Sequence, residues 1–388
     1  CFTEAPGIPP PGGLFYGAKA QPRGSAPVAL TMVKAHPTKS RLLFVALLGA
    51  LLFAACLGSR AHAAVLKPPP GKVFFGVTDT GDASDFRDFA RAVGKHPAVI
   101  QTFHAWGNSW DKSLPRWRAT RARPMLHMTT RADNGEEVIT PKQIARGRGD
   151  DYLIRINTQA ARRHLRLYLR PLGEPNRCLN YYAGVDCSGN VRGGDYSYGW
   201  YKQAFRRIAI ITRGGAKRGF INARLKDLRL PKVQNVGQSR RLPRRLPKAP
   251  VSLVWSPLPA GSPTVRANLP ARYWPGKDWV DWVGTDFYNR YNNWKHLGRF
   301  YKKWALGKNK PMALTEFGLW GSDSPSFIKR IFKFTRNRKK IRMMVYYQDF
   351  GESNSFRIQN FPQGRKVLSQ FLNKRDYPKF APKYPRFR

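Results

Sequence analysis

Acidic side chains are scarce in this chain: 23 Asp and Glu stand against 69 Lys and Arg, a formal charge of +46. Such a balance suits a polyanionic neighbour, whether an anionic cell-wall polymer, an acidic polysaccharide or nucleic acid. The cations are spread along the whole chain, and runs such as Arg240-Arg241-Leu242-Pro243-Arg244-Arg245 read as solvated loop. Zinc-finger spacing, an aromatic RNA-binding signature and a helix-turn-helix pattern are absent, which argues against a specific nucleic-acid partner. Cysteine is rarer still, with four in 388 residues. The seven His are scattered and the cysteines stand outside any zinc spacing, so neither a metal nor a cofactor is expected. No Gly-x-Ser-x-Gly turn occurs, which leaves acyl transfer without support.

Long apolar runs are also missing. The run over 42–57 falls short of the roughly 20 residues a membrane span needs. Lys34, Lys39 and Arg41 precede it, and Ala61-His62-Ala63 offers a small-x-small cleavage site after it. Residues 32–63 therefore read as a secretory signal beginning at Met32, with a lipoprotein signal at Cys56 as the alternative. Residues 1–31, rich in Pro, Gly and Ala, read as disordered or as sequence upstream of Met32. The expectation is a secreted or cell-wall-associated protein with no transmembrane span once the signal is removed. Cys178 and Cys187 would then be the remaining cysteines. In an oxidising compartment they are expected to pair and stiffen their loop.

What is present from 71 onward is a repeating alternation. Apolar runs at 73–77, 99–103, 124–128, 165–169, 251–255, 282–287, 312–314 and 342–347 read as strands. Helical patterns at 84–93, 113–121, 141–163, 199–213, 293–305, 325–338 and 363–372 lie between or after them. Continuous apolar strands separated by helices indicate a parallel sheet covered on both faces. Eight such strands predict a closed (β/α)₈ barrel over 71–374. The competing open doubly wound sheet usually carries a Gly-rich phosphate turn after its first strand, and Gly76-Val77-Thr78-Asp79-Thr80-Gly81 fits that poorly. Residues 218–250 read as a basic, irregular surface insertion, and 375–388 as a basic surface tail.

Two of the rare acids fall at the ends of predicted strands. Glu174 follows the fourth run, in Arg170-Pro171-Leu172-Gly173-Glu174-Pro175-Asn176, and Glu316 ends the seventh, in Leu314-Thr315-Glu316-Phe317-Gly318. Barrel sites lie at the carboxyl ends of strands, and a facing pair of carboxyls is the minimal apparatus for cleaving a glycosidic bond. Either acid alone could instead neutralise a buried arginine such as Arg170. Aromatic residues that could stack on sugar rings follow the strands: Trp106 and Trp110, Tyr181 and Tyr182, Trp255, Trp320, and Tyr346 with Tyr347. His104 and His127 end strands two and three and could also reach the mouth.

The segment around Glu174 resembles the acid/base segment of glycoside hydrolase family 26, a group of (β/α)₈ barrels that includes endo-β-mannanases. Val254-Trp255-Ser256-Pro257 is similar to the family's fifth strand, Gly284-Thr285-Asp286-Phe287-Tyr288-Asn289 to its sixth, and Lys310-Pro311 through Gly318 to its nucleophile strand. The similarity runs, with gaps, from about Gly71 to about Leu372. It implies a retaining hydrolase of β-linked, mannan-type polysaccharide with Glu174 as acid/base and Glu316 as nucleophile. It further implies that Tyr288 and Arg170 keep Glu316 ionised and that Asn176 holds a sugar hydroxyl or its own loop. One position departs from the family, where His usually precedes the acid/base and here Gly173 does. The remaining expectation is a catalytically weak barrel that binds anionic cell-wall polysaccharide through its basic surface.

Overall fold

The computed structural model describes residues 65–234, 242–348 and 355–382. The expected signal at 32–63, the segment 1–31 and the end of the tail lie outside the described residues. Eight parallel strands close into a barrel in chain order: β1 (Phe74–Thr78), β2 (Val99–His104), β3 (Arg123–Met128), β4 (Leu167–Pro171), β5 (Val251–Trp255), β6 (Trp282–Tyr288), β7 (Met312–Gly318) and β8 (Ile341–Tyr346). The chain therefore has the (β/α)₈ architecture, and closure removes the sheet edges that an open sheet would expose.

Strand residues alternate between two cores because successive side chains point to opposite faces. Phe74, Val99, Met125, Tyr168, Val254, Trp282, Ala313 and Met343 fill the barrel interior near the strand starts. Phe75, Ile100, Leu126, Leu169, Leu253, Val283, Leu314 and Met344 face the surrounding helices. The helices answer with apolar stripes at helical spacing. α1 (Ala83–Val93) buries Phe86, Phe89 and Val93, starts at an Asp82 cap and stops at left-handed Gly94.

The predicted helix over 141–163 is two helices, α2 being Ser113–Thr120, α3 Pro141–Arg146 and α4 Asp150–Arg162. Gly147 at φ 99° ends α3, in a conformation that a side chain would strain, so the continuous periodicity was misleading. α5 (Tyr198–Arg213) follows. The predicted irregular insertion begins with a helix, α6 (Arg218–Asp227), because Ile221 and Leu225 are buried one turn apart. Ala216–Lys217 and Arg245–Leu246 then pair as a two-stranded ribbon. α7 (Trp294–Phe300) runs into a π-helical turn at Tyr301–Leu306, and α8 (Pro325–Arg336) and α9 (Pro362–Leu372) complete the ring.

The tail is not wholly on the surface as far as it is described. Tyr377 and Ala381 are buried, and Ala381 joins Leu66 against the apolar floor of the barrel. Arg123 ties both ends of this unit down, donating to the Leu66 carbonyl at 3.3 Å and to the Pro382 carbonyl at 2.7 Å. The floor is thus closed at the strand starts, and polar chemistry is left to the opposite mouth.

Candidate active site

The polar half of the barrel interior is organised by Arg170. Alternation from inward Tyr168 points Arg170 inward too, where it is fully buried. Its guanidinium donates to the Ser256 hydroxyl after β5 at 2.6 Å, to Gln101 Oε1 on β2 at 3.3 Å, to Asp286 on β6 and to Glu316 on β7. Burial disfavours its charge, but Asp286, Glu316 and Glu174 outweigh that and hold its pKa above the ordinary value. Asp286 is wholly buried, bonded by Arg170 and by the Thr315 hydroxyl at 2.7 Å. Burial pushes its carboxyl well up, against the pull of Arg170.

Glu316 reaches the interior through a bulge. Ala313 faces in and Leu314 faces out, so strict alternation would turn residue 316 outward. Pairing between β6 and β7 slips by one residue at this point, with Thr285 opposite Leu314 and Asp286 opposite Glu316. The extra residue, Thr315, returns Glu316 to the inner face beside Asp286. Glu316 is 7% exposed. Its Oε1 accepts from Arg170 and from Gln101 at 3.3 Å, and its Oε2 accepts from the Tyr288 hydroxyl at 2.6 Å. A carboxylate offers about four lone-pair directions, so these three donors leave one open. Asp286 is sealed against Arg170 and Thr315, which leaves the more accessible Glu316 as the carboxyl that can meet a substrate. Burial, then the charge on Glu316, raises the pKa of Tyr288 well above its ordinary value and keeps the phenol a donor.

Glu174 sits just past β4 on an unusual backbone. Leu172 and Glu174 have φ of 51° and 49°, a left-handed region that costs an L-residue roughly 1–2 kcal/mol. The Glu174 amide donates to the Ser256 carbonyl at 2.7 Å, and Arg177 pairs with the carboxylate at 3.2 Å. Burial opposes the charge on Arg177, but Glu174 and, more weakly, Glu316 raise its pKa. Each glutamate thus has its own arginine, and Gly173, next to Glu174, abuts the Arg170 that holds Glu316, so both acids stand at the same mouth.

Gly173, the position that departs from the family pattern, is tightly enclosed. A Cβ there would lie 2.7 Å from Arg170 Nε and 2.8 Å from His127 Nε2. His127 points inward from β3 opposite Arg170, and neither ring nitrogen has a protein partner. Burial, then Arg170, holds its pKa well below the ordinary value, so it is neutral. The imidazole from β3 occupies the space that a side chain at 173 would need.

One wall of the mouth is aromatic. Rings follow one another from His127 to Phe103, Tyr347, Phe356, Tyr288 and Trp320, with centroid separations of 4.8–6.1 Å along that path. Trp320 is half-buried, with Arg290 over its ring at 5.4 Å. Tyr181 is 40% exposed and carries Arg131 at 5.2 Å.

Several predicted contacts lie elsewhere. Trp255 is fully buried on the outer face, packed on Trp274, Phe300 and Trp304. Tyr346 is likewise outside, against Phe89 and Phe317, and its neighbour Tyr347 takes the inner position. Both corrections follow from period-two alternation. His104 also points outward, where its Nε2 meets the Ser113 hydroxyl at 2.8 Å beside Trp117, and burial lowers its pKa to about 4. Trp110 is buried against Trp117. Trp106 packs on Tyr152 and above Gly149 at the start of α4. Asn176 takes the second of its two expected roles: it is buried and fastens loops, donating to the Leu258 carbonyl at 3.0 Å and accepting from the Leu258 amide at 2.8 Å. Cys178 and Cys187 are joined in a disulfide.

Gln101, Arg177, Phe103 and Phe356 carry no sequence signal that marks them for the site, and Asp286 and Ser256 stand in the quoted motifs without an assigned role. For Asp286 a signal existed: it lies two residues before Tyr288 and so shares its face. A cavity of about 330 Å³ beside Lys72, Arg336 and Arg342 lies at the strand starts, away from both glutamates. Two of these cations are bound to loop carbonyls, Arg342 donating to Lys72 at 2.9 Å and to Pro69 at 2.6 Å, and Lys72 donating to Arg375 at 2.9 Å. Among the described residues no group of three or more His, Cys, Asp and Glu is placed to hold a metal, and no helix is long and apolar enough to cross a membrane.

No family model and no curated protein sequence matches the chain. Solved structures do. An endo-β-1,4-mannanase double mutant from Cellulomonas fimi superposes with a TM-score of 0.55 at 16% identity, covering 83% of this chain and 75% of that one. A GH26 β-mannanase from Bacteroides ovatus gives 0.53 at 15% identity, covering 84% and 96%. The catalytic domain of a GH26 endo-β-1,4-mannanase from Bacillus sp. JAMB-750 gives 0.53 at 16%, covering 84% and 92%. At these identities the likeness establishes the shared barrel fold.

Proposed function

We propose that this protein is a glycoside hydrolase of the mannanase type, cleaving a β-linked polysaccharide by double displacement. The observation that carries the reading is the pair of carboxylates at the carboxyl ends of the strands, Glu316 bonded by Arg170 and Glu174 by Arg177, beside an aromatic wall. The shared fold with the GH26 mannanases supports the substrate class.

In this mechanism Glu316 attacks the anomeric carbon through its remaining lone pair while Glu174 gives its proton to the departing oxygen. The C–O bond to the leaving sugar breaks and a glycosyl ester of Glu316 forms. Arg170, Gln101 and Tyr288 favour the charged form of the nucleophile before attack and stabilise it as leaving group afterwards. Glu174, now deprotonated, takes a proton from water, whose oxygen attacks the anomeric carbon, breaks its bond to Glu316 and frees that carboxylate. The ring faces of Trp320 and Tyr347 supply apolar contact for sugar C–H faces. Secretion accords with the Cys178–Cys187 disulfide, since thiols in a reducing compartment stay unpaired.

The test is digestion of a polysaccharide panel by wild type and Glu316→Ala, with binding measured in parallel. Wild type is expected to cut a β-linked mannan, and the variant to lose more than about a thousandfold in rate while still binding polymer. A wild type that cuts no glycan, yet binds anionic polymer with steep salt dependence, would sink the enzymatic reading and leave a basic polysaccharide-binding barrel.

A further inference from the structure

Resting on the reading of Glu174 as acid/base, we propose that Tyr182 and Asn180, carried on the loop closed by the Cys178–Cys187 disulfide, are positioning residues that aim its carboxyl. The chain from Leu172 to Glu174 holds two left-handed residues in three, a path it does not keep by local preference. Barrel carbonyls hold its amides: Leu172 donates to Met128 at 2.9 Å and Glu174 to Ser256 at 2.7 Å. The carbonyls on the other side are held by the loop. The Tyr182 hydroxyl donates to the Gly173 carbonyl at 2.6 Å. Asn180 Nδ2 donates to the Glu174 carbonyl at 2.9 Å and to that of Gly173 at 3.3 Å.

The loop that presents these donors is itself fastened. The disulfide joins its ends, and the Cys178 amide donates to the Ser262 carbonyl at 2.8 Å. Tyr182 is buried, and the Ala183 amide donates to the Asn180 carbonyl at 2.9 Å, which sets both donors in one turn. Both side chains bond the backbone that carries the Glu174 carboxyl, and it is through this backbone that each acts. Each carbonyl has a second donor, Asn180 on Gly173 and the Arg177 amide on Glu174 at 3.0 Å, so loss of one donor loosens the strained path without emptying it and lets the carboxyl swing away from the leaving oxygen.

The experiment compares Tyr182→Phe, Asn180→Ala and a Cys178→Ser/Cys187→Ser double variant on two aryl β-mannobiosides. One releases phenol, which needs protonation to depart. The other releases dinitrophenol, which does not. A mispositioned acid is expected to lower kcat/KM on the phenyl substrate roughly tenfold to a hundredfold, part of what general acid catalysis supplies, with kcat/KM on the dinitrophenyl substrate kept within about twofold. Azide, a nucleophile needing no base, should then restore kcat on the dinitrophenyl substrate and yield the glycosyl azide. Equal losses on both substrates, or no loss in any variant, would overturn the proposal. Tyr182→Phe removes one oxygen only, and thermal melting of each variant separates lost fold from lost aim. Glu174→Ala is the control for the parent reading. If it shows the leaving-group split and the loop variants do not, only the positioning role fails. If Glu174→Ala itself shows no split, the acid/base assignment fails.

Discussion

The Tyr288 hydroxyl donates to Glu316 Oε2 at 2.6 Å, and the same carboxylate takes the Arg170 guanidinium on its other oxygen. Tyr288→Phe removes the first bond and leaves the second. A hydrogen bond to a charged group contributes about 1.5–3 kcal/mol, so turnover is expected to fall roughly tenfold to a hundredfold. Tyr288 has a pKa raised above its ordinary 10.0 by burial and by Glu316. A raised native pKa favours the neutral phenol, so its contribution is complete below about pH 10 and lost only as pH climbs beyond. An alkaline limb below that range that disappears in Tyr288→Phe would contradict this.

Stereochemistry offers an independent check. Double displacement at one carbon returns the starting configuration, so proton NMR of fresh product should show the β anomer before mutarotation. An α anomer appearing first would mean that a water enters between the carboxyls and that Glu316 is not the nucleophile.

Gly173 is expected to resist enlargement. Its Cβ would meet Arg170 Nε at 2.7 Å and His127 Nε2 at 2.8 Å, and both neighbours are held in the barrel. Gly173→Ala should lower stability by about 1–3 kcal/mol through overpacking, with a matching drop in melting temperature. Gly173→His is expected to slow hydrolysis because His127 already fills the space. A faster Gly173→His enzyme would show that the imidazole on β3 does not fill that space.

Acid sensitivity should trace in part to His104. Its pKa is lowered from 6.5 to about 4 by burial, so the native state favours the neutral ring. The stability this represents is complete above about pH 6.5 and drains as pH falls toward 4. The difference amounts to about 2 kcal/mol at pH 5 and about 3 kcal/mol once both states are protonated. Urea midpoints measured across pH 4–7 should fall less steeply in His104→Gln, and identical slopes would remove His104 from the account.

The barrel was legible because its strands are short apolar runs and its helices carry stripes, and both patterns survive in one sequence. β4 lies two residues later than the apolar run suggested, since Arg170 and Pro171 continue the strand into the polar half of the barrel. The break at Gly147 was less legible, because amphipathic spacing continued across it. Alternation was sufficient to place Arg170 and would have placed Asp286. It was overlooked for Trp255 and Tyr346, whose large rings suit a helix-facing core as well as they suit a sugar.

Composition and motif order alone settled that this chain builds an eight-stranded barrel and that two scarce acids stand at the ends of its fourth and seventh strands. Those facts are local: they depend on side-chain periodicity and on neighbours along the chain. Folding alone decided that Thr315 is the surplus residue that turns Glu316 inward, that Arg170 bridges to β2, β5, β6 and β7, and that Tyr347 rather than Tyr346 meets the mouth. Each depends on the register between strands remote in sequence, and a slip of one residue there exchanges the inside of the barrel for the outside.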